Sequence, residues 1–284
     1  MNRLCFFLVV AFFPTWALAQ FEYRSNWNHP PTTFKPYVIT LTTPGGINVL
    51  RDIPLDHLHH HGLMFAIKVD GVIFWEEFNP RDYGRQETVS LTQVAAGTDG
   101  RNEQRVESTL AWSNGVGQVL VLEQRTITAT VIGGATVLDW TSTFTLPPGK
   151  EQAELGGNEY HGLGMRFVES MDNGRYFAAA TSEQEAGVYG RLTPCRWMAY
   201  TAKADGKPVT VAIFDTKDNP RPMLAFAMGG EGSEEFAYLS ATANLQREPI
   251  TLTTEKPVTF RYRLALWDGE KTPEDVEKAT PNNR

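Results

Sequence analysis

Alternation of apolar and polar residues is the main pattern along this chain, and it is the periodicity of β-strands with one buried face. The alternating segments are rich in β-branched and aromatic residues, and glycine, proline, asparagine or aspartate separates them. The clearest segments span residues 37–43, 104–112, 118–131, 136–146, 209–214 and 258–267. We therefore predict an all-β protein.

The two longest segments, 118–131 and 136–146, are separated by a glycine pair and predict one extended antiparallel hairpin. Strands of this length favour a large antiparallel β-sandwich of roughly fifteen or more strands. No stretch of about a dozen residues has a helical period. The tail alone predicts a helix start, because Thr272 precedes Pro273 and two acidic residues.

The first residues have the pattern of a secretory signal peptide. Arg3 precedes an apolar run that ends near Phe13, and small residues lead to a predicted cleavage site after Ala19. We therefore expect a signal peptide at residues 1–19 and a single β-sandwich domain with a short polar tail at residues 20–284. The predicted location is periplasmic or secreted.

Charge and cysteine content narrow the classes of partner. The chain has 26 basic and 33 acidic residues, and a leader that removes Arg3 changes the net charge from −7 to −8. This balance argues against nucleic acid as a partner, and no later segment reaches the ~20 apolar residues needed for membrane insertion. Of the two cysteines, Cys195 alone lies outside the leader, so no intramolecular disulfide is expected.

Four of the six histidines lie in the segment LDHLHHHGLMF at residues 55–65. An extended chain over residues 57–69 would place His57, His59 and His61 on one face and His60 on the other. Histidines at alternate strand positions are suitable metal ligands, and histidines near neutral pKa are suitable general acids and bases. The competing interpretation is a structural strand end that happens to be rich in imidazole.

The segment NEYHGLGMRF at residues 158–167 repeats the His-Gly-Leu motif. Two such strands would meet at one rim, where we predict catalytic roles for His59, His60, His161 and Glu159. The predicted substrate-binding residues are Arg166, Glu77 and Trp197. The alternative metal-ligand set is His57, His59 and His161. A divalent metal ion is therefore an open alternative, and the cofactor is otherwise unassigned.

Four segments together resemble the DUF6807 family, whose members often carry the label PmoA-like. These segments are DHLHHHGLMFAIKVDGVIFWEE, HGLGMRF, RWMAYTAKADGKPVTVAIFDTKDNPRP and FRYRLALWDG. The most specific motif is Asp-His-x-His-His-x-Gly, which begins at Asp56 and ends at Gly62, and many members carry Arg where this chain has His61. The resemblance implies a fold similar to the galactose-mutarotase-like supersandwich proteins, which bind sugars on a concave sheet face.

With that resemblance, we expect an exported carbohydrate-active enzyme that acts on a glycoside or sugar acid as a lyase, hydrolase or epimerase. The expected partner is a carbohydrate or another small polar substrate. Two alternatives stay open, a non-catalytic glycan-binding module and the metal-dependent oxidoreductase that the PmoA-like label suggests. The sequence leaves the oligomeric state open.

Overall fold

Antiparallel strands form nearly all of the regular structure. The computed structural model describes residues 21–25, 34–79, 81–98, 102–180 and 192–281. The predicted signal peptide at residues 1–19 lies outside them. These described ranges contain eighteen strands, one short α-helix and one 3-10 turn at Glu169–Met171. None of their helices is long and apolar enough to cross a membrane.

The bounds of the elements are as follows. The first nine strands are β1 (Phe21–Arg24), β2 (Tyr37–Leu41), β3 (Leu63–Ala66), β4 (Lys68–Val69), β5 (Val72–Ile73), β6 (Arg85–Val94), β7 (Gln104–Ser113), β8 (Val119–Ile132) and β9 (Ala135–Thr145). The others are β10 (Gln152–Gly156), β11 (Gly162–Arg166), β12 (Arg175–Ala180), β13 (Leu192–Ala204), β14 (Lys207–Phe214), β15 (Leu224–Met228), β16 (Tyr238–Thr242), β17 (Ile250–Thr253) and β18 (Val258–Asp268). The helix is α1 (Pro273–Glu277).

Most strands belong to one large sheet that folds back on itself. Its order is β1-β2-β3-β11-β16-β15-β13-β14-β18-β9-β8-β7-β6, with β12 paired to β13. The long strand β13 joins the two halves, because its start pairs with β15 and its later part with β14. The halves face each other across the core, where Phe65 of β3 meets Phe144 of β9 and Phe260 of β18. The predicted all-β class with a large antiparallel sandwich is confirmed.

The local predictions for the long hairpin and the tail are also confirmed. Strands β8 and β9 pair over eleven residues, and Gly133 and Gly134 at the turn both have the positive φ that a tight hairpin requires. Helix α1 starts at a capping box in which Thr272 and Asp275 each accept from the other's backbone N–H.

A second sheet, β17-β10-β4-β5, extends the fold beside the core.

A buried ion pair on β8 contacts the segment that directly precedes β2. On β8, Glu123 and Arg125 are almost fully buried, and Arg125 Nε donates to Glu123 Oε1 at 2.8 Å. The same guanidinium donates to the Pro36 carbonyl oxygen and to Gln86 Oε1. The polar atoms of this pair therefore have hydrogen-bond partners in the protein that compensate for the water that they lose on folding.

We predict that Glu123→Gln destabilises the fold by about 3–5 kcal/mol, because it leaves the Arg125 charge buried without its counterion. Urea unfolding followed by circular dichroism measures the loss. The matched control is Glu107→Gln on β7, because Glu107 also pairs with an arginine two residues away, Arg105, but in solvent. That control should cost less than about 1 kcal/mol. Equal effects of the two substitutions would contradict the structural role of the buried pair.

Candidate functional site

The histidine-rich segment is a pair of turns, and the predicted extended conformation over residues 57–69 is wrong. The His57 N–H donates to the Pro54 carbonyl and the His60 N–H to the His57 carbonyl, so strand β3 begins only at Leu63. A turn brings residues three apart together, and the rings of His57 and His60 lie 4.6 Å apart at 21°. The predicted separation of His60 from the other histidines is therefore also wrong.

Three histidines of these turns line one cavity of about 340 Å³. They are His57, His59 and His60, and the His59 ring lies 4.7 Å from that of His60. The walls are largely aromatic and come from Trp75, Phe78, Tyr160, Phe226, Phe236 and Tyr238. Glu76 and Glu159 add carboxylates. We refer to this space as the histidine cavity.

Burial keeps two of the cavity histidines, His59 and His60, neutral. It lowers the pKa of His59 to about 4, with a further contribution from the positive charge of Lys35. It lowers the pKa of His60 to about 2, with a further contribution from His59. The Nδ1 atoms of His59 and His60 are buried and have no hydrogen-bond partner. Because unpaired polar atoms are costly to bury, these atoms are candidates for bonding to a ligand.

The fourth histidine of the segment lies in a separate buried network. His61 Nδ1 lies 3.1 Å from Asp52 Oδ1, and its Nε2 lies 3.1 Å from Glu77 Oε1. The His61 ring stacks on Tyr37 at 4.1 Å. Lys35 donates to Glu77 and to the backbone carbonyl of Trp75. This network fixes the base of the histidine turns.

Glu77 was predicted to bind substrate, but the structure places its carboxylate in this network. Burial would raise the pKa of Glu77, but the charge of Lys35 and the hydrogen bond with His61 outweigh it and lower the pKa to about 2. Its neighbour Glu76 lines the cavity instead. Glu76 Oε1 accepts from the Tyr160 hydroxyl at 3.3 Å, while Oε2 is buried without a partner.

The two His-Gly-Leu segments lead into neighbouring strands, as predicted, but their histidines do not converge. Strands β3 and β11 are antiparallel, with Leu63 opposite Met165 and Ala66 opposite Gly162. His61 and His161 therefore precede opposite ends of the strand pair. His161 stacks on Trp75 at 5.2 Å and 9°. It thus supports the Trp75 wall from outside the set of residues that line the cavity.

The predicted metal set of His57, His59 and His161 is not assembled. The rings of His57 and His59 lie 5.7 Å apart at the cavity, whereas the ring contacts of His161 are with Trp75 and Tyr160. Over the described ranges, no three His, Cys, Asp or Glu side chains are arranged to hold a metal ion.

The other two predicted binding residues lie outside the histidine cavity. Trp197 is on the outer face of β13, where its Nε1 donates to Glu277 Oε2 of α1 at 2.6 Å. It belongs to an apolar cluster with Trp267 and Val276 rather than to a rim that can stack on a sugar. Arg166 lies at the end of β11 in an adjacent cavity of about 560 Å³ that also includes His57.

Sequence reasoning missed most of the aromatic walls. Trp75 follows β5 and Phe236 precedes β16, and neither position was among the predicted site residues. A Cβ atom on Gly164 would lie 1.7 Å from the Tyr238 hydroxyl oxygen and 3.0 Å from Trp75 Cη2. Glycine at this position thus lets both rings reach the cavity floor. The glycines around Met165 were the available signal for this close approach.

Comparisons with known proteins identify a family. A family model described as "Family of unknown function (DUF6807)" matches residues 15–280. No curated protein matches the sequence.

Several solved structures resemble the fold at low identity. The GH36 α-galactosidase AgaA from Geobacillus stearothermophilus is 10% identical over 66% of this chain, with a TM-score of 0.42. A β-arabinopyranosidase is 11% identical over 87% of this chain, with a TM-score of 0.44. The chain spans 28% and 38% of the lengths of these two proteins. Slr1438 from Synechocystis sp. PCC 6803 is 8% identical over 94% of this chain and 100% of its own length, with a TM-score of 0.41.

The buried histidines predict a specific loss of stability in acid. Burial lowers the pKa of His161 from 6.5 to about 3, with further contributions from Lys68 and Lys35, so between these values protons bind the unfolded chain but not the folded one. Stability should therefore fall as the pH drops below about 6.5, by up to ~1.4 kcal/mol per pH unit for each such histidine.

His161→Phe tests this contribution, because both ring nitrogens are buried without partners and a phenyl ring can keep the stack on Trp75. We expect the variant to fold and to show a shallower pH dependence of unfolding free energy between pH 4 and 6, by about one proton. Urea titrations across this range measure the slope. An unchanged slope would show that His161 does not titrate as the structure requires.

Proposed function

The chain belongs to the DUF6807 family, and from this premise we propose that it is a carbohydrate-active enzyme whose substrate binds in the histidine cavity. The observation that carries the proposal is the combination of aromatic walls with buried, unpaired imidazole and carboxylate atoms in one concave site. Sites that combine a mainly apolar lining with a few oriented polar groups are typical of small-ligand binding. A reaction class of lyase, hydrolase or epimerase fits these groups.

The shape and chemistry of a sugar ring support this choice of substrate. A sugar has an apolar C–H face that packs on an aromatic ring and a rim of hydroxyls that need hydrogen-bond partners. In the cavity, Tyr160 and Phe226 lie 5.9 Å apart between ring centroids and form one apolar corner. His59 and His60 line the same space, and the Nδ1 atom of each is buried without a partner. Both requirements of a sugar are therefore met in one site.

Proton transfer is the chemistry that these side chains support. Imidazoles and carboxylates are common general acids and bases, and those of His59, His60, Glu159 and Glu76 line the same cavity. We assign His59, His60 and Glu159 to the catalytic group and Glu76 as an additional candidate. His161 is reassigned as a positioning residue that acts through Trp75.

A non-catalytic glycan-binding module is the second candidate, and the pKa values favour it. Histidines whose pKa values are about 4 and about 2 are weak bases, because the cavity disfavours their charged forms. Weak bases contribute less to proton transfer at neutral pH than they do to hydrogen bonding. Tight glycan binding without turnover would support this candidate.

Export is also part of the proposal. It rests on the leader-like pattern of residues 1–19. N-terminal sequencing of the protein from the periplasm or medium, with Gln20 as the expected first residue, tests it.

Turnover of a panel of oligosaccharides, including oxidised sugars and uronates, tests the proposed activity. We expect one sugar class to release or isomerise product, and His60→Gln and Glu159→Gln to lower the rate by about 10²–10⁴-fold. Glu107→Gln on the exposed face of β7 is the matched control and should keep the full rate. Full activity in both site variants, with unchanged melting temperatures, would rule out this site. Binding that survives His60→Gln with no product from any sugar would support the binding module.

A further inference from the structure

The histidine cavity lies next to the cavity around Arg166. Three residues line both spaces, namely His57, Met228 and Phe236. The two volumes are about 340 and about 560 Å³, and each alone is within the ~300–1,000 Å³ typical of small-ligand sites. Together the two adjacent cavities therefore have room for more than one sugar ring.

Arg166 is a buried cation with spare hydrogen-bonding capacity. Its side chain is 2% exposed, and Nη2 donates to Asp56 Oδ2 at 2.8 Å. Nε and Nη1 are buried and have no hydrogen-bond partner. The guanidinium lies over the Phe236 ring, 3.3 Å from its centroid. Two donors are therefore free beside the wall that the two cavities share.

Charge indicates what these donors recognise. In the Arg166 cavity, Asp56 is paired with Arg166, and Glu169 is paired with Arg51 at 3.2 Å. Three further carboxylates, those of Asp172, Glu234 and Glu235, also line it. The excess negative charge disfavours an anion, whereas hydroxyl groups donate to carboxylates and accept from a guanidinium.

We propose that the Arg166 cavity is a second sugar subsite, and that it binds a neutral, hydroxyl-rich residue of an oligosaccharide whose neighbouring residue lies in the histidine cavity. This proposal rests on the proposed carbohydrate function and names its substrate class. The substrate is at least a disaccharide that passes His57 and Phe236, and neutral sugars are preferred over uronates at the Arg166 end.

Chain length is the variable that tests the subsite. Tryptophan fluorescence titrations would use glucose, xylose, galactose and arabinose with their di- and trisaccharides, together with one uronate-containing disaccharide of the best-binding series. We expect the neutral disaccharide to bind at least about 10-fold more tightly than its monosaccharide. The disaccharide with a uronate at the second position should lose most of this gain at low salt and recover part of it at high salt.

Arg166→Lys separates the two cavities. It keeps a positive charge beside Asp56 but removes the guanidinium donors, so the dissociation constant of the monosaccharide should stay within about 2-fold while the disaccharide gain is lost. Arg196→Lys, on the outer face where Arg196 pairs with Glu277, is the matched control and should keep the gain. Melting temperatures confirm that each variant is folded.

The outcomes distinguish this inference from the proposed function. If His60→Gln abolishes binding of the monosaccharide, the proposed function stands. The subsite is nevertheless overturned if the disaccharide binds no more tightly than the monosaccharide. It is also overturned if Arg166→Lys weakens the binding of both sugars equally. Tighter binding of the uronate-containing disaccharide than of the neutral one would overturn the proposed preference for neutral sugars. Absence of binding to any sugar of any length would overturn the proposed function and this inference with it.

Discussion

The imidazole of His61 connects parts of the chain on which the site depends. One ring nitrogen lies beside Asp52, just before the histidine turns, and the other lies beside Glu77, just after Trp75. Lys35 closes the network by binding Glu77 and the Trp75 carbonyl. The turns and the indole wall are thus held by the same buried groups.

This arrangement divides the polar residues of the region into two environments. In the His61 network, opposite charges compensate the cost of burial, since the pKa of Glu77 stays low beside Lys35. In the cavity, burial lowers the pKa values of His59 and His60, and each histidine also has positively charged neighbours, so the neutral form is favoured. The paired groups provide rigidity, and the neutral ones are free to form hydrogen bonds with a ligand.

The sequence was informative wherever local pattern determines structure. Alternation located the strands, the Gly133-Gly134 turn joined β8 to β9, and Thr272 capped α1. The histidine segment was misassigned because its turn hydrogen bonds are formed within a few residues and leave no period to detect. The alternation of side chains along a strand could not show which of Glu76 and Glu77 faces the cavity. The answer depends on Lys35, about forty positions earlier, which binds the Glu77 carboxylate. Trp197 was misplaced because the short helix that covers it packs from the far end of the chain.

The direct contact of Trp75 and Tyr238 over Gly164 has a consequence for how this protein can change. A Cβ atom at position 164 would collide with the Tyr238 hydroxyl and crowd the indole, so even a methyl group there must displace two walls of the cavity. Substitutions at most buried positions can be accommodated by repacking, but here the smallest possible substitution would shift the rings that form the cavity walls. Position 164 is therefore a point at which the shape of this cavity can change while the strands around it are retained.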